Sequence, residues 1–396
     1  MIMTARGRTL KTVAGAMAGA GLVAGAFSAF SRLRYRRSAT ATLAEYGALS
    51  LRALRARTTM SDWIARVASE PEGRRTLSLP VWARLFYNVE RREGDGMPVY
   101  YARPYSPSDT VVVYIHGGGY IATASLGQAL LIDNLVRTTG AELVVPLYPL
   151  APHHTWEKAH RLILDLYLRT VAENPGRRIV LMGDSAGGGL ALVIALSLAE
   201  RSANQPDELV LLSPWVDITH VNPDIADYVD VDPLMAPEPL TVMGETWAGS
   251  TPTTDWHLSP INGDLSALHR VTTFVGSREL FLPDNALLHD RLVKAGVTST
   301  LHVGENLNHV YPMFPSPEGR RAGREIARIV SGRAPPEPTP PPFTKTGPDR
   351  PGPAPGPVQS QKCSTSTAPP VASKSARTAA RKAASCSQSR TTAASP

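Results

Sequence analysis

The first 362 residues of this 396-residue chain contain no cysteine, and its two cysteines, Cys363 and Cys386, lie near the C-terminal end. The long region before them offers no disulfide bond and no thiolate ligand for a metal ion. Its fold therefore suits a reducing or an oxidising compartment. With 43% hydrophobic residues, the chain can nevertheless supply a large core.

Acidic residues are missing from one end of the chain and scarce at the other. Residues 1–40 carry seven basic and no acidic side chains, and residues 331–396 carry nine basic and two acidic ones. Residues 41–330 carry 25 basic and 32 acidic side chains, so the net charge of +7 belongs to the ends and the body is acidic. An acidic body argues against a core built around a phosphate backbone, and we expect no nucleic-acid partner.

Near the N terminus, residues 12–30 form an uncharged run, mostly Ala and Gly, with basic residues on both sides. A basic start followed by an apolar stretch is typical of a signal peptide or a single membrane anchor. However, Ala and Gly gain little on entering lipid, and positive charge on both flanks sets no orientation. Residues 1–40 are therefore interpreted either as a leader for export or membrane association through residues 12–30, or as the leader of a cytoplasmic protein.

The C-terminal end differs in composition from the body. Residues 331–396 contain 14 prolines, and the other residues are mainly Ser, Thr, Ala and basic residues. Such a segment cannot bury enough apolar surface to offset the entropy lost on ordering. We predict a disordered tail over residues 331–396.

Between the ends, β-branched runs alternate with longer stretches of helical spacing. The strand-like runs lie at 110–115, 142–147, 178–182, 208–212, 271–275 and 298–303, and the main helical stretches at 155–172, 186–201, 284–295 and 317–330. Continuous apolar strands with helical crossovers predict an α/β fold, with a mainly parallel central sheet and helices on both faces. We predict a helical cap over residues 41–95 and a catalytic α/β domain over residues 96–330.

The strongest motif is Gly183-Asp184-Ser185-Ala186-Gly187, which follows one predicted strand and opens a predicted helix. Gly-x-Ser-x-Gly in this context predicts a nucleophile elbow, a turn so tight that the neighbours of the serine must be small. The turn exposes Ser185 at a helix N-terminus, where the helix dipole favours developing negative charge.

A second glycine-rich motif, His116-Gly117-Gly118-Gly119-Tyr120, follows the predicted strand 110–115. Glycines allow backbone N–H groups to approach a carbonyl oxygen that becomes an oxyanion. In the elbow geometry such donors act with the N–H of the residue after the nucleophile, here Ala186. The loop lacks the glycine spacing and the Lys-Ser/Thr ending of nucleotide-binding loops.

A serine nucleophile needs a base, and the base needs an acid to orient it. His309 follows the last predicted strand, in the chain order that the elbow geometry requires. For the acid, Glu279 follows the strand 271–275, at the sheet edge where catalytic groups collect. Asp284 is the alternative acid, although its place after Pro283 is more typical of a helix N-cap.

Six motifs in order resemble the hormone-sensitive lipase family of α/β-hydrolase fold carboxylesterases. They are HGGGY at 116–120, YPLAPHH at 148–154, GDSAGG at 183–188, LSPWVDIT at 212–219, VGSRELFLPD at 275–284 and NHVYP at 308–312. The resemblance implies Ser185 as nucleophile, His309 as base, and Gly117, Gly118 and Ala186 as oxyanion donors. It implies that His116 and Asp184 support the elbow and the glycine loop. Glu279 departs from the family, in which many members have Asp-Pro-Leu at this point.

The motifs predict a serine carboxylesterase that hydrolyses short- to medium-chain acyl esters, with no cofactor and no metal. Alternative substrates are lipids, acylated sugars or antibiotics, for a lipase or a deacetylase. An alternative of a different class is a non-catalytic protein that binds small molecules on a hydrolase scaffold. The presence of His309 argues against this second alternative, because scaffolds of that kind have lost the base.

Overall fold

The computed structural model describes residues 21–55, 58–72, 75–94 and 96–333. The first 20 residues of the predicted leader and nearly all of the predicted tail lie outside these ranges.

An eight-stranded sheet forms the centre of the body. Its strands are β1 (Tyr87–Gly94), β2 (Met97–Pro104), β3 (Thr110–Ile115), β4 (Glu142–Pro146), β5 (Arg178–Asp184), β6 (Glu208–Leu212), β7 (Arg270–Gly276) and β8 (Thr298–Gly304). They lie in the order β1-β2-β4-β3-β5-β6-β7-β8. The pairs β1–β2 and β2–β4 are antiparallel and all the others are parallel, so the predicted mainly parallel sheet is confirmed.

The first predicted strand is in fact the third. The hairpin of β1 and β2 precedes it, so the predicted helical range 41–95 was wrong at its C-terminal end and the sheet begins at Tyr87. β1 is an edge strand with the sequence YNVERREG, and its charged side chains hide the apolar pattern on which the prediction depended. The Asp95-Gly96 dipeptide between the strands is a hairpin signal that could have found them.

Eight helices with defined bounds accompany these strands within the described ranges. They are α1 (Ala39–Arg55), α2 (Met60–Ser69), α3 (Leu126–Thr139), α4 (Trp156–Glu173), α5 (Ser185–Glu200), α6 (Pro237–Ala248), α7 (Leu282–Lys294) and α8 (Pro317–Val330). Residues 21–35 are helical as well. A single 3-10 turn at Val81–Leu85 connects the helical N-terminal region to β1.

Helices cover both faces of the sheet, as predicted. Val111 and Val113 of β3 belong to one apolar cluster, which includes buried residues of α4, α5 and α7. Val112 and Tyr114 of the same strand belong to a second cluster, which includes buried residues of α3 and α8. Because alternate side chains point to opposite faces, a strand covered on both sides reads as one continuous apolar run.

The two N-terminal helices contact the loops beyond the carboxyl ends of the strands. Just before α1, the guanidinium of Arg37 donates a hydrogen bond to the carbonyl of Asn306, in the loop after β8. α2 packs against α6, and its Ile64 is buried in the first apolar cluster. Both helices therefore lie at the sheet edge where the predicted catalytic residues are found.

Within the described ranges, no helix combines the length and the apolar character that crossing a membrane requires. The described part of the predicted membrane-associating run, residues 21–30, thus gives no support to a membrane span. Residues 12–20 of that run lie outside the described chain.

Truncation of a core side chain should destabilise the fold far more than the same change at the surface. Leu135 of α3 is fully buried, whereas Leu126 of the same helix is 68% exposed. We expect Leu135→Ala to lower the free energy of unfolding by about 2–5 kcal/mol, and Leu126→Ala to change it by about 0.5 kcal/mol or less. Urea denaturation followed by circular dichroism measures both, and equal effects would contradict the assigned packing.

Candidate active site

Ser185 lies at the turn between the central strand β5 and the helix α5. Its φ of +51° places it in the left-handed region, which a serine rarely adopts. A Cβ at Gly183 would collide with the backbone of Gly187, and a Cβ at Gly187 would collide with the backbone of Ile115 and His116. The predicted elbow geometry is therefore present, and the small residues are required by close backbone contacts.

His309 lies in the loop after β8, next to this serine. Its Nε2 is 2.9 Å from the Oγ of Ser185, and the residue is 8% exposed. On its other side, Nδ1 lies 3.3 Å from Oε1 of Glu279. A carboxylate only accepts hydrogen bonds, so Nδ1 carries the proton and Nε2 of the neutral ring accepts from the hydroxyl of Ser185.

The Glu279 carboxylate is fully buried, and its second oxygen, Oε2, accepts two hydrogen bonds. Oε2 accepts from the hydroxyl of Ser213 at 2.9 Å and from the N–H of Gly276 at 2.9 Å. These two hydrogen bonds satisfy the buried Oε2. Two hydrogen bonds thus hold Glu279 beside the His309 ring, in the loop after β7.

The surroundings of His309 raise its pKa above the usual value. Burial lowers the pKa, since it penalises the charged ring, but three carboxylates oppose this effect. Glu279 contributes through its charge and its hydrogen bond, and the charges of Asp232 and Asp184 add to it. The site therefore stabilises an imidazolium, which is the state that a base reaches after it accepts a proton.

Asp284, the alternative acid, lies elsewhere. It is in the first turn of α7, whose N-cap is Phe281, so the predicted N-cap role was wrong. Its Oδ1 accepts from the amide of Asn222 at 2.8 Å, and burial raises its pKa to about 6. Since proline occupies only the second position of the helix, the sequence placed the helix start too late. The structure brings Glu279, and not Asp284, to His309.

The N–H groups of the glycine loop differ in whether they already have a hydrogen-bond partner. The N–H of Gly117 donates to Oδ1 of Asp184 at 2.8 Å, so it is already engaged inside the protein. Among the described residues, no acceptor takes a hydrogen bond from the N–H of Gly118, Gly119 or Ala186. Gly118 and Gly119 have φ of +128° and +61°, which glycine adopts without strain. The free donors are therefore Gly118, Gly119 and Ala186.

Asp184 connects the elbow to the glycine loop. Besides the N–H of Gly117, its buried carboxylate accepts from the hydroxyl of Tyr114 at 2.6 Å and from the amide of Gln128 at 2.9 Å. These contacts agree with the supporting role predicted for Asp184. Because Asp184 is the residue before Ser185, its hydrogen bond to Gly117 connects the glycine loop to the elbow.

His116 supports the same loop from below. Its ring stacks on Tyr148 with the centroids 4.5 Å apart, and the hydroxyl of Tyr148 donates to the His116 carbonyl at 2.8 Å. Full burial lowers the pKa of His116 to about 4, so the ring is neutral at physiological pH. Ala151 adds a backbone hydrogen bond to the carbonyl of Tyr120 at 2.9 Å, so the motif at 148–154 holds both ends of the glycine loop.

Three residues at the site were missed by the sequence reasoning. Ser213 donates to Glu279 and accepts from the N–H of Val310 at 2.9 Å, which joins the loops of the acid and the base. Gln128 binds Asp184. Asp232 accepts from the N–H of Leu280 at 2.8 Å, beside the acid. Two of them could have been found from the sequence. Ser213 begins the Ser-Pro-Trp part of the motif at 212–219, and Gln128 completes a capping box with Ser125.

Aromatic residues pack tightly beside the glycine loop. The Tyr120 ring stacks between Trp247, with centroids 4.5 Å apart, and Trp215, with centroids 5.5 Å apart. All three are almost fully buried, so Trp215 and Trp247 support the loop and belong to the core. In the described parts of the chain, no group of three or more His, Cys, Asp or Glu side chains is arranged to hold a metal ion.

Comparison with known proteins agrees with this geometry. A family model described as an alpha/beta hydrolase fold matches residues 112–313, just over half of the chain. An esterase of Acinetobacter venetianus is 26% identical over 225 residues, which are 56% of this chain and 74% of the relative. LipR of Mycobacterium tuberculosis, named as an acetyl-hydrolase, is 31% identical over 175 residues. That match covers 44% of this chain and about half of LipR, 56%.

The solved structures include an esterase from the bacterial hormone-sensitive lipase family. It is 26% identical, has a TM-score of 0.64, and the match covers 75% of this chain and 99% of that one. The chain belongs to the α/β-hydrolase fold family. Within that class, its resemblance to the hormone-sensitive lipase esterases is confirmed, and so is the prediction of a carboxylic ester hydrolase.

Ser213 can be tested as the connection between the acid and base loops. In Ser213→Ala, Glu279 loses one hydrogen bond and the Val310 N–H loses its acceptor, so we expect kcat/KM to fall about tenfold. Ser197→Ala is the control, because Ser197 is also buried and bonded to a histidine, His160, but on α5 away from the site. Equal kcat/KM for the two variants in an ester hydrolysis assay would contradict the assigned role.

Proposed function

We propose that this protein is a serine carboxylesterase that cleaves short- to medium-chain acyl esters through an acyl-enzyme on Ser185. The observation that carries the proposal is the continuous chain from the Ser185 hydroxyl through His309 to Glu279, with contacts of 2.9 and 3.3 Å. A hydroxyl is a weak nucleophile by itself, and a base held at this distance is the arrangement that activates it.

The reaction follows from the position of the protons. His309 takes the proton of Ser185 as the hydroxyl oxygen attacks the ester carbonyl carbon, and Glu279 stabilises the resulting imidazolium. When the tetrahedral intermediate collapses, the C–O bond to the alcohol breaks, and His309 gives that proton to the leaving oxygen. A water molecule then attacks the acyl-enzyme by the same route, and the carboxylic acid is released.

The carbonyl oxygen becomes an oxyanion in both steps. The N–H groups of Gly118, Gly119 and Ala186 are the donors that we assign to it, since these three are free of partners in the described chain. Ala186 also lies in the first turn of α5, so the helix dipole adds to the stabilisation of negative charge. Each donor of this kind typically contributes about 10²–10³ in kcat.

Two features support a short acyl group. A Cβ at Gly119 would come within 2.6 Å of the sulfur of Met243, so Met243 of α6 lies directly against the loop that carries the oxyanion donors. α2, part of the proposed N-terminal cap, also packs against α6. Relatives named as an acetyl-hydrolase and an ethyl acetate hydrolase agree with a small acyl substrate.

Replacement of the nucleophile tests the proposal directly. We expect wild type to hydrolyse p-nitrophenyl acetate and butyrate faster than longer esters, and Ser185→Ala to lower kcat by about 10⁴- to 10⁶-fold. Labelling with a fluorophosphonate, followed by intact mass, should modify wild type and spare the variant. A wild type that neither turns over any ester nor becomes labelled would favour the non-catalytic binding protein, and a preference for long esters would favour a lipase.

The pH dependence of kcat/KM tests the identity of the acid. His309 must be neutral to accept a proton, so activity is lost as the pH falls through its pKa, which lies above the usual 6.5. Glu279→Gln removes the charge that raises this pKa, so we expect a lower kcat and an acidic limb that moves to lower pH. Asp284→Asn should leave that limb in place. A shift caused by Asp284→Asn alone would reverse the assignment of the acid.

A further inference from the structure

A buried ion cluster contacts the loops that carry Glu279 and His309. Glu45 of α1 is 5% exposed and forms an ion pair with Arg37, which is 3% exposed. The other oxygen of Glu45 accepts from the guanidinium of Arg278 at 3.2 Å. One buried carboxylate therefore binds two arginines. Arg37 and Glu45 lie outside the motifs of the family resemblance, and Arg278 lies within one of them but has no assigned role.

Each arginine of this cluster belongs to a different part of the site. Arg278 immediately precedes Glu279, and its N–H donates to the Leu307 carbonyl at 3.0 Å. Arg37 donates to the Asn306 carbonyl at 2.9 Å, three residues before His309. Glu45 thus connects the loop of the acid to the loop of the base through two charged side chains.

The helix that carries Glu45 is itself fixed in place. Just before α1, the N–H and the hydroxyl of Ser38 donate to the carboxylate of Glu318 at 2.8 and 2.7 Å. Glu318 is in the first turn of α8, which packs on the main sheet. Thr42 of α1 accepts from the Nε of Arg37 at 3.2 Å, so the arginine has little freedom. These contacts therefore attach α1 to the body of the fold.

The contact between Glu279 and His309, at 3.3 Å, is longer than the one between His309 and Ser185. Its length depends on how the two loops are held relative to each other. We propose that Glu45 is a positioning residue for the reaction: through Arg37 and Arg278 it sets the distance between the acid and the base. This inference rests on the proposed esterase function and extends it to a residue of the N-terminal helix.

Without the carboxylate of Glu45, two guanidinium groups would face each other with no counter-charge. A buried charge that loses its partner is strongly unfavourable, so Arg37 and Arg278 would move apart or toward water. Arg278 would carry Glu279 with it, because the two are adjacent in the chain. Displacements of about 1 Å in a catalytic arrangement can reduce the rate about 100-fold.

The test compares Glu45→Gln with Glu208→Gln. Glu208 is a matched control, since it is 3% exposed and lies between Arg178 at 3.7 Å and Arg270 at 3.6 Å, but at the first residue of β6, the opposite end of the sheet. We expect both variants to lose a comparable amount of Tm. Only Glu45→Gln should lower kcat for p-nitrophenyl butyrate, by about 10- to 100-fold, with KM nearly unchanged.

The pH profile separates positioning from a loss of stability. The carboxylates that face His309, namely Glu279, Asp232 and Asp184, are all intact in Glu45→Gln. If Glu279 moves away, the acidic limb of kcat/KM should shift to lower pH together with the fall in kcat. A shifted limb with unchanged kcat would show a distant charge effect only, and would overturn the proposal. Wild-type kcat and an unchanged profile would overturn it as well.

A milder variant keeps the test decisive if Glu45→Gln does not fold. Arg278→Gln breaks the same connection on the side of the acid, and its side chain is 26% exposed, so we expect a smaller loss of Tm. It should lower kcat and shift the acidic limb in the same direction. Inactivity of wild type toward every ester would reject the proposed function and the inference together, whereas an active wild type with a normal Arg278→Gln would reject the inference alone.

Discussion

The turn at Ser185 is the constraint on which the rest of the site depends. The serine adopts φ of +51°, a conformation that costs about 1–3 kcal/mol and persists only when its surroundings enforce it. The enforcement comes from β5 on one side, from the deeply buried helix α5 on the other, and from glycines at 183 and 187 that allow backbones to touch. The packing around the central sheet thus fixes the position of the Ser185 hydroxyl.

Charge is the second organising element of the site. The body of the protein buries several carboxylates near one histidine, and each has its own donors: Asp184 binds Tyr114 and Gln128, and Glu279 binds Ser213. These donors keep the carboxylates in place, and the carboxylates raise the pKa of His309 against the effect of burial. The free energy needed to form a buried imidazolium is lowered because the carboxylates that balance its charge are in place before the reaction begins.

Local patterns predicted the parts of the fold that are governed by local physics. The five buried strands from β3 to β7 read as apolar runs because both faces are covered, and the elbow and the glycine loop read as motifs because backbone contact demands glycine. The β1–β2 hairpin was missed because an edge strand carries charges toward water. The engagement of the Gly117 N–H was not foreseen, since a motif cannot tell which of three adjacent N–H groups a distant carboxylate has already taken.

The sequence by itself predicted the fold class, which is confirmed, and it proposed Ser185 as nucleophile and His309 as base in their chain order, because these predictions depend on residue type and on spacing along the chain. Only the tertiary structure placed Glu279, and not Asp284, beside His309, paired the N–H of Gly117 with Asp184, and brought Glu45 into contact with Arg37 and Arg278. The reason is physical: hydrogen bonds and ion pairs act over about 3 Å in space, and residues far apart in the chain reach that distance only when the sheet and its loops are assembled.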